Sequence, residues 1–187
     1  MNANTLEARM IEHCAPTLAG MKTASLFSYF YQEKHTVLKE LEYINVILNE
    51  RGVYVEALLW REESVLIYTY RYNQLEAEFC NPEIMELLGN YGYRIGSVED
   101  NIDHLKERLK LCENFPHEIG AFLGYPPKDV IGFVKNKGSN CLCSGWWKVY
   151  HDAENAKKMF LKFDKCRELY KKLYLSGKTA LQLAVAA

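Results

Sequence analysis

The chain has 187 residues, 49% hydrophobic and 25% charged, with 23 Lys and Arg against 24 Asp and Glu. This suits one globular domain with a real core and is short for two. The net charge of −1 gives no global field for nucleic acid, and no apolar run reaches the about 18 residues that a membrane span needs.

The N-terminus is polar and lacks the apolar core of a signal peptide. Six cysteines without such a signal argue for reduced thiols in a cytoplasm rather than a disulfide framework. Leu6 to Cys14 reads as a short helix ended by Pro16. His13, Cys14, Thr17 and Lys22 then cluster in a segment containing Pro and Gly. Two readings stand there. Lys22 can neutralise an anionic ligand and Cys14 beside His13 can be an activated thiol, or a helix simply ends with a buried Cys and an exposed His.

Ala24 to Phe30 predicts a strand. Lys34 to Glu50 predicts an amphipathic helix, because Val37, Leu41, Ile44 and Leu48 recur at steps of four, three and four, and Gly52 stops it. Val53–Trp60 and Ser64–Tyr70 are β-rich runs around Arg61, Glu62 and Glu63, which predicts a hairpin. Asn73–Cys80 and Pro82–Leu88 read as short helices. Gly89, Gly92 and Gly96 mark a loop that matches neither a P-loop nor the dinucleotide fingerprint, and turn geometry explains it better than a phosphate cradle. Ser97 followed by Asp100 is a capping-box variant. It opens a helix with Ile102, Leu105, Leu109 and Cys112 on one face and His104 on the solvent side.

Phe115 to Tyr150 concentrates three of the five prolines, five of the eleven glycines, two of the three tryptophans, and both Cys141 and Cys143. Pro116 with Gly124, then Pro127 with Gly138, bracket two short helices. Trp146 to Tyr150 is aromatic and β-branched enough for a strand. His117 and Glu118 fall in a first helical turn, where free N–H groups favour the Glu118 anion and a neutral, ligand-competent His117. In an extended segment Cys141 and Cys143 share a face. They can hold a soft metal, form a strained redox disulfide, or pack as small apolar groups. Trp146, Trp147 and Tyr150 can stack on a planar ligand or fill the core.

His151 and Asp152 turn the chain into a last helix, with Met159 or Phe160, Phe163, Tyr170 and Leu173 or Tyr174 as its buried stripe. Glu154 to Lys178 holds eight basic and three acidic residues. That excess is a solvated face or a docking surface for an acidic partner. Gly177 ends the helix, and Thr179 to Ala187 is a short docked helix or a frayed tail.

Three strings carry a family resemblance. They are His13-Cys14-Ala15-Pro16-Thr17-Leu18; Phe115-Pro116-His117-Glu118-Ile119-Gly120 through Leu123-Gly124-Tyr125-Pro126; and Asn140-Cys141-Leu142-Cys143 through Trp147-Lys148-Val149-Tyr150. The chain resembles the DUF3793 family, a bacterial family of unknown function common in anaerobic Firmicutes. The resemblance covers about residues 10 to 170 and leaves Thr179–Ala187 outside. Members are encoded near flavodoxins and ferrous-iron transport genes, which implies an iron or redox context and identifies no substrate.

These readings predict an α+β fold: a small mixed or antiparallel sheet of about four strands packed by helices. Its middle matches the β-α-β-β-α-β order of ferredoxin-like folds, with helical insertions before the last strand. The expected organisation is one domain over residues 1–178 and a tail over 179–187. The expected function is a small-ligand or redox-linked site in a cytoplasmic protein. Its catalytic candidates are His13, Cys14, His117 and Glu118, and its ligand-binding candidates are Thr17, Lys22, Cys141, Cys143, Trp147 and Lys148. Substrate, metal and cofactor stay open, as does whether it is an enzyme. The alternative is a non-catalytic module that binds a small cofactor or docks on an acidic redox protein of flavodoxin type.

Overall fold

The computed structural model describes residues 5–94, 96–112 and 114–186. The chain is α+β and divides into two compact units, residues 1–73 with 163–187, and residues 74–162.

In the first unit, α1 (Leu6–Leu18) leads into β1 (Ala24–Phe30), α2 (Lys34–Leu48), a 3-10 turn (Asn49–Arg51), β2 (Val53–Trp60) and β3 (Ser64–Arg71). The strands form an antiparallel sheet in the order β1-β3-β2. The register runs from Ala24 opposite Tyr70 to Phe30 opposite Ser64, and a bulge interrupts β2 between Ala57 and Leu59. Strand alternation sends Phe27, Tyr29, Val53, Val55, Val65 and Ile67 to one face. There they meet the apolar stripes of α1 (Leu6, Met10, Leu18) and α2 (Val37, Leu41, Ile44, Leu48) in a single core. Asn45 of α2 reaches the backbone of Val55, donating to its carbonyl at 2.7 Å and accepting from its N–H at 2.9 Å. Those groups lie on the outer side of β2, so the side chain blunts a sheet edge.

This sheet has the β-α-β-β half of the expected ferredoxin-like order. The fourth strand is not in it among the described residues. Lys148–Val149 (β5) pairs instead with Cys143–Ser144 (β4), in a two-residue antiparallel ladder of its own. Only three residues separate Cys143–Ser144 from Lys148, so a local hairpin supplies the strand run with its partner.

Pro16 does not end α1, as expected from sequence, but lies within its last turn. A proline there removes only one intrahelical hydrogen bond. The open carbonyls beyond it find other donors. Arg71 Nε donates to Thr17 O at 2.6 Å, and its Nη2 donates to Leu18 O at 2.5 Å and to Val185 O at 2.9 Å. Arg71 thus caps α1 and clamps the end of the chain. Residues 180–183 form a last short helix, α9 (Ala180–Leu183), opened by a Thr179/Gln182 capping box. Glu7 accepts from its Ala180 N–H, and the Tyr170 hydroxyl donates to Leu183 O.

The second unit contains most of α3 (Tyr72–Phe79), then α4 (Pro82–Gly89), α5 (Val98–Leu111), α6 (Ile119–Phe122), α7 (Pro127–Asn136) and the β4–β5 hairpin. It also holds the start of α8 (Ala153–Leu175), which ends in the first unit. The Ser97/Asp100 capping box opens α5. Gly89 is the last residue of α4 and residues 90–92 form a turn; Ile95 lies outside the described residues. His104 is half-buried rather than on the solvent side, because its ring packs edge-on against Tyr93 at 4.4 Å and bonds Tyr91 O. On α8, Ala156, Phe160, Phe163, Cys166 and Tyr170 form the buried stripe, and the lysines are exposed.

Candidate functional site

Pro127 starts α7, and Lys137 in the left-handed region ends it, with the Gly138 N–H donating back to Phe133 O. The chain then crosses back over this helix as the β4–β5 hairpin. Gly132 permits the crossing: a Cβ at that position would lie 2.5 Å from Tyr150 Cβ. Helix and hairpin are tied by Asp129. Its Oδ2 accepts from Trp147 Nε1 at 2.7 Å, and its Oδ1 accepts from the Tyr150 and His151 N–H groups at 2.7 and 2.8 Å. Asp129 is buried, and three donors around one carboxylate justify that burial.

This tie leaves a cavity of about 240 Å³ beside it. Phe115, His117, Tyr125, Phe133, Trp146 and Trp147 give it an aromatic wall, and Ile119 and Val130 add to its apolar lining. Tyr125 stacks on Trp147 at 5.1 Å and donates its hydroxyl to Trp146 O. Burial pushes the Tyr125 phenol up to about 12, so it stays protonated. Trp147 is fixed from behind by Phe160, edge-on at 4.6 Å. The polar groups left at the rim are His117, edge-on to Phe133 at 5.2 Å, and Lys148. Lys148 donates once, to Gly138 O at 2.7 Å, and its ammonium lies 5.8 Å from the centre of the Phe133 ring. Both side chains belong to exposed residues.

Of the residues singled out by sequence, His117, Trp146, Trp147 and Lys148 thus share one cavity. Glu118 turns away from it. It is fully buried, pairs with Arg108 Nε and accepts from the Tyr93 hydroxyl at 3.2 Å. Cys141 and Cys143 are free, half-buried thiols on the neighbouring hairpin and do not line the cavity.

His13, Cys14, Thr17 and Lys22 belong to the first unit. Cys14 is sealed, and burial pushes its thiol up to about 12, although the Thr69 and Ser25 hydroxyls and the Lys22 ammonium pull the other way. That is the reverse of an activated thiol. Thr17 is buried against Ser25, hydroxyl to hydroxyl at 2.9 Å. Lys22 donates to Ala24 O, and burial lowers its amine to about 7. His13 takes a different path. Its ring stacks on Phe27 at 5.1 Å and borders a separate crevice.

Asp129, Tyr125 and Arg71 were not among the sequence candidates. Asp129 follows Pro127 at a helix start, where an acid has an ordinary explanation, so only its position opposite Trp147 reveals its role. Among the described residues, no group of three or more His, Cys, Asp or Glu side chains is placed to hold a metal ion. No helix among them is long and apolar enough to cross a membrane.

Comparison with known proteins returned no matching curated protein and no matching solved structure. A family model described as "Protein of unknown function (DUF3793)" matches residues 10–184. The match extends past the quoted motifs, through α8 and α9. It covers nearly the whole chain, which therefore belongs to the DUF3793 family.

Proposed function

We propose that this protein is a cytoplasmic binding protein for a small planar ligand, held in the aromatic cavity between α7 and the β4–β5 hairpin. The carrying observation is the pairing of a preformed aromatic wall with two polar side chains, His117 and Lys148, at its mouth. Ligand pockets combine these features: apolar walls for affinity and a few polar groups for orientation. The volume is below the roughly 300 Å³ at which drug-sized pockets begin, which favours one or two fused rings. Lys148 favours an acidic group on the ligand edge. Two observations support binding ahead of catalysis: in the cavity Asp129 is committed to three donors and Tyr125 stays protonated, and the neighbouring Glu118 lies outside it, paired with Arg108.

Naphthalene-2-carboxylate is a suitable probe. Stacking beside Trp146 and Trp147 should quench tryptophan fluorescence saturably. Lys148→Gln should weaken the carboxylate about tenfold, the scale of one hydrogen bond to a charged group, while leaving neutral naphthalene unaffected. Phe115→Ala should weaken both. Absence of saturable quenching at millimolar probe, or equal affinity in all three proteins, would sink the reading.

A second reading, docking on an acidic redox protein, is favoured by the start of α8. There Lys157, Lys158 and Lys162 are exposed beside Leu161, itself 62% exposed. Lys158→Glu with Lys162→Glu should abolish binding to a flavodoxin in low salt; unchanged affinity would remove this reading.

A further inference from the structure

In the first unit, α1 and the C-terminal half of α8 enclose an open crevice of about 560 Å³, distinct from the aromatic cavity. Its lining includes Glu12 and His13 from α1, and Arg167, Glu168, Lys171 and Lys172 from α8. Helical spacing puts Arg167 one turn from Lys171, so their charges lie on one side. Arg167 is also paired with Asp164 at 2.9 Å, through one of its five N–H donors, so the lysines carry most of the unbalanced charge. Glu12 is already engaged by Arg9 at 2.5 Å, which brings a fourth cation to the same rim.

His13 is the unusual member. Its ring is stacked on Phe27 of β1, which fixes its orientation. Its Nε2 is buried and makes no hydrogen bond among the described residues, and the Glu12 carboxylate stands 3.8 Å away. A buried ring nitrogen without a partner is costly unless something supplies one. Burial, Arg9 and Arg167 all lower the His13 imidazole below its ordinary range, against the opposing pull of Glu12. The crevice around it thus carries a small excess of positive charge.

We propose that this crevice binds the phosphate group of a small phosphorylated molecule, with Arg167, Lys171 and Lys172 meeting the phosphate oxygens and the His13 ring at their side registering the added negative charge. Arg provides a planar fork of donors and the lysines provide point charge, a combination suited to phosphate. Leu175, exposed at the edge of the crevice, offers an apolar surface to the rest of the molecule. A dianion placed here relieves the mutual repulsion of the cations and makes protonation of His13 favourable.

Inorganic phosphate is the probe, added to the full chain at constant ionic strength and followed by NMR of the His13 ring. Saturable shifts and a raised His13 pKa are expected. Lys171→Gln should weaken binding about tenfold, the scale of one charge-assisted contact. Lys165→Gln, an exposed position on α8 outside the crevice, should leave it unchanged. His13→Gln should keep some binding but lose the pH dependence that the imidazole confers. Equal His13 shifts with chloride at matched ionic strength would overturn the proposal, since screening alone would then explain them. A Lys165→Gln loss as large as that of Lys171→Gln would overturn it too, by reducing the effect to the general field of the helix.

Discussion

Asp129→Asn isolates the tie that shapes the aromatic cavity. Asparagine is nearly isosteric and keeps one oxygen. The Tyr150 and His151 N–H groups both converge on Oδ1, so that oxygen can still accept from both. The amide nitrogen must then take the place of Oδ2. There it faces Trp147 Nε1, donor against donor, across what was a 2.7 Å hydrogen bond. One charge-assisted bond is lost and a buried indole N–H is left unpaired, for a cost of roughly 2–4 kcal/mol. In urea, with a slope of about 1–3 kcal/mol per molar, the midpoint should fall by about 1 M or more, followed by tryptophan fluorescence. The mechanism is tested by Trp147→Phe, which removes the opposing donor. In that background Asp129→Asn should cost far less, giving a coupling energy of about 1–3 kcal/mol, as expected for directly bonded groups. A cost under about 0.5 kcal/mol, typical of a surface change, or the same cost in both backgrounds, would refute the assignment of Asp129 as the cavity's tie.

Arg71→Lys retains charge but cannot span Thr17, Leu18 and Val185 carbonyls at once; a loss of about 2–4 kcal/mol is expected, with faster hydrogen exchange at the Val185 amide, which donates to Leu18 O. Lys22 and Cys14 predict opposite pH windows. The Lys22 amine is at about 7 when folded and 10.5 in its ordinary state, so the folded protein binds fewer protons between them and stability rises with pH across that window. The Cys14 thiol moves from 9 to about 12, so stability falls above pH 9 as the unfolded chain alone ionises. Lys22→Met should raise stability at pH 7 and flatten the first limb, and Cys14→Ala should flatten the second, each on the order of a few kcal/mol, read from urea midpoints between pH 6 and 11. Gly132→Ala must displace Tyr150 from α7 and should cost about 1–3 kcal/mol of stability, as overpacking does, again from urea midpoints.

Much of the first unit was legible because its signals are local. Strand alternation, the four-three-four stripe of α2 and the acidic hairpin turn each fix an element without reference to the rest of the chain. The capping box at Ser97 and the Pro-to-Gly bracket around α7 worked for the same reason. Pro16 misled because its local preference was overridden from outside: Arg71, 55 residues further along, serves the carbonyls beyond it. The expected fourth strand misled for a related reason. Trp146–Tyr150 has strand composition, but composition does not choose a partner, and the nearest available one was Cys143–Ser144.

The candidate residues were identified by type, and type does not say which way a side chain faces. His117 and Glu118 are adjacent in the turn that precedes α6, not in its first helical turn as expected from sequence, and their side chains diverge. His117 accordingly reaches the aromatic cavity, while Glu118 enters the interior to meet Arg108 and Tyr93. The same divergence separates His13, at an open crevice, from Cys14, sealed in the core. Sequence adjacency therefore argues against a shared site, and at His13-Cys14 the structure matches the plainer reading of a buried Cys beside a more exposed His. Spacings that return to one face, such as Arg167 with Lys171, or residues held across a helix and a hairpin, such as Asp129 with Trp147, are what bring chemistry together here. Only the first kind is visible before the chain is folded, because the second depends on where the hairpin lands.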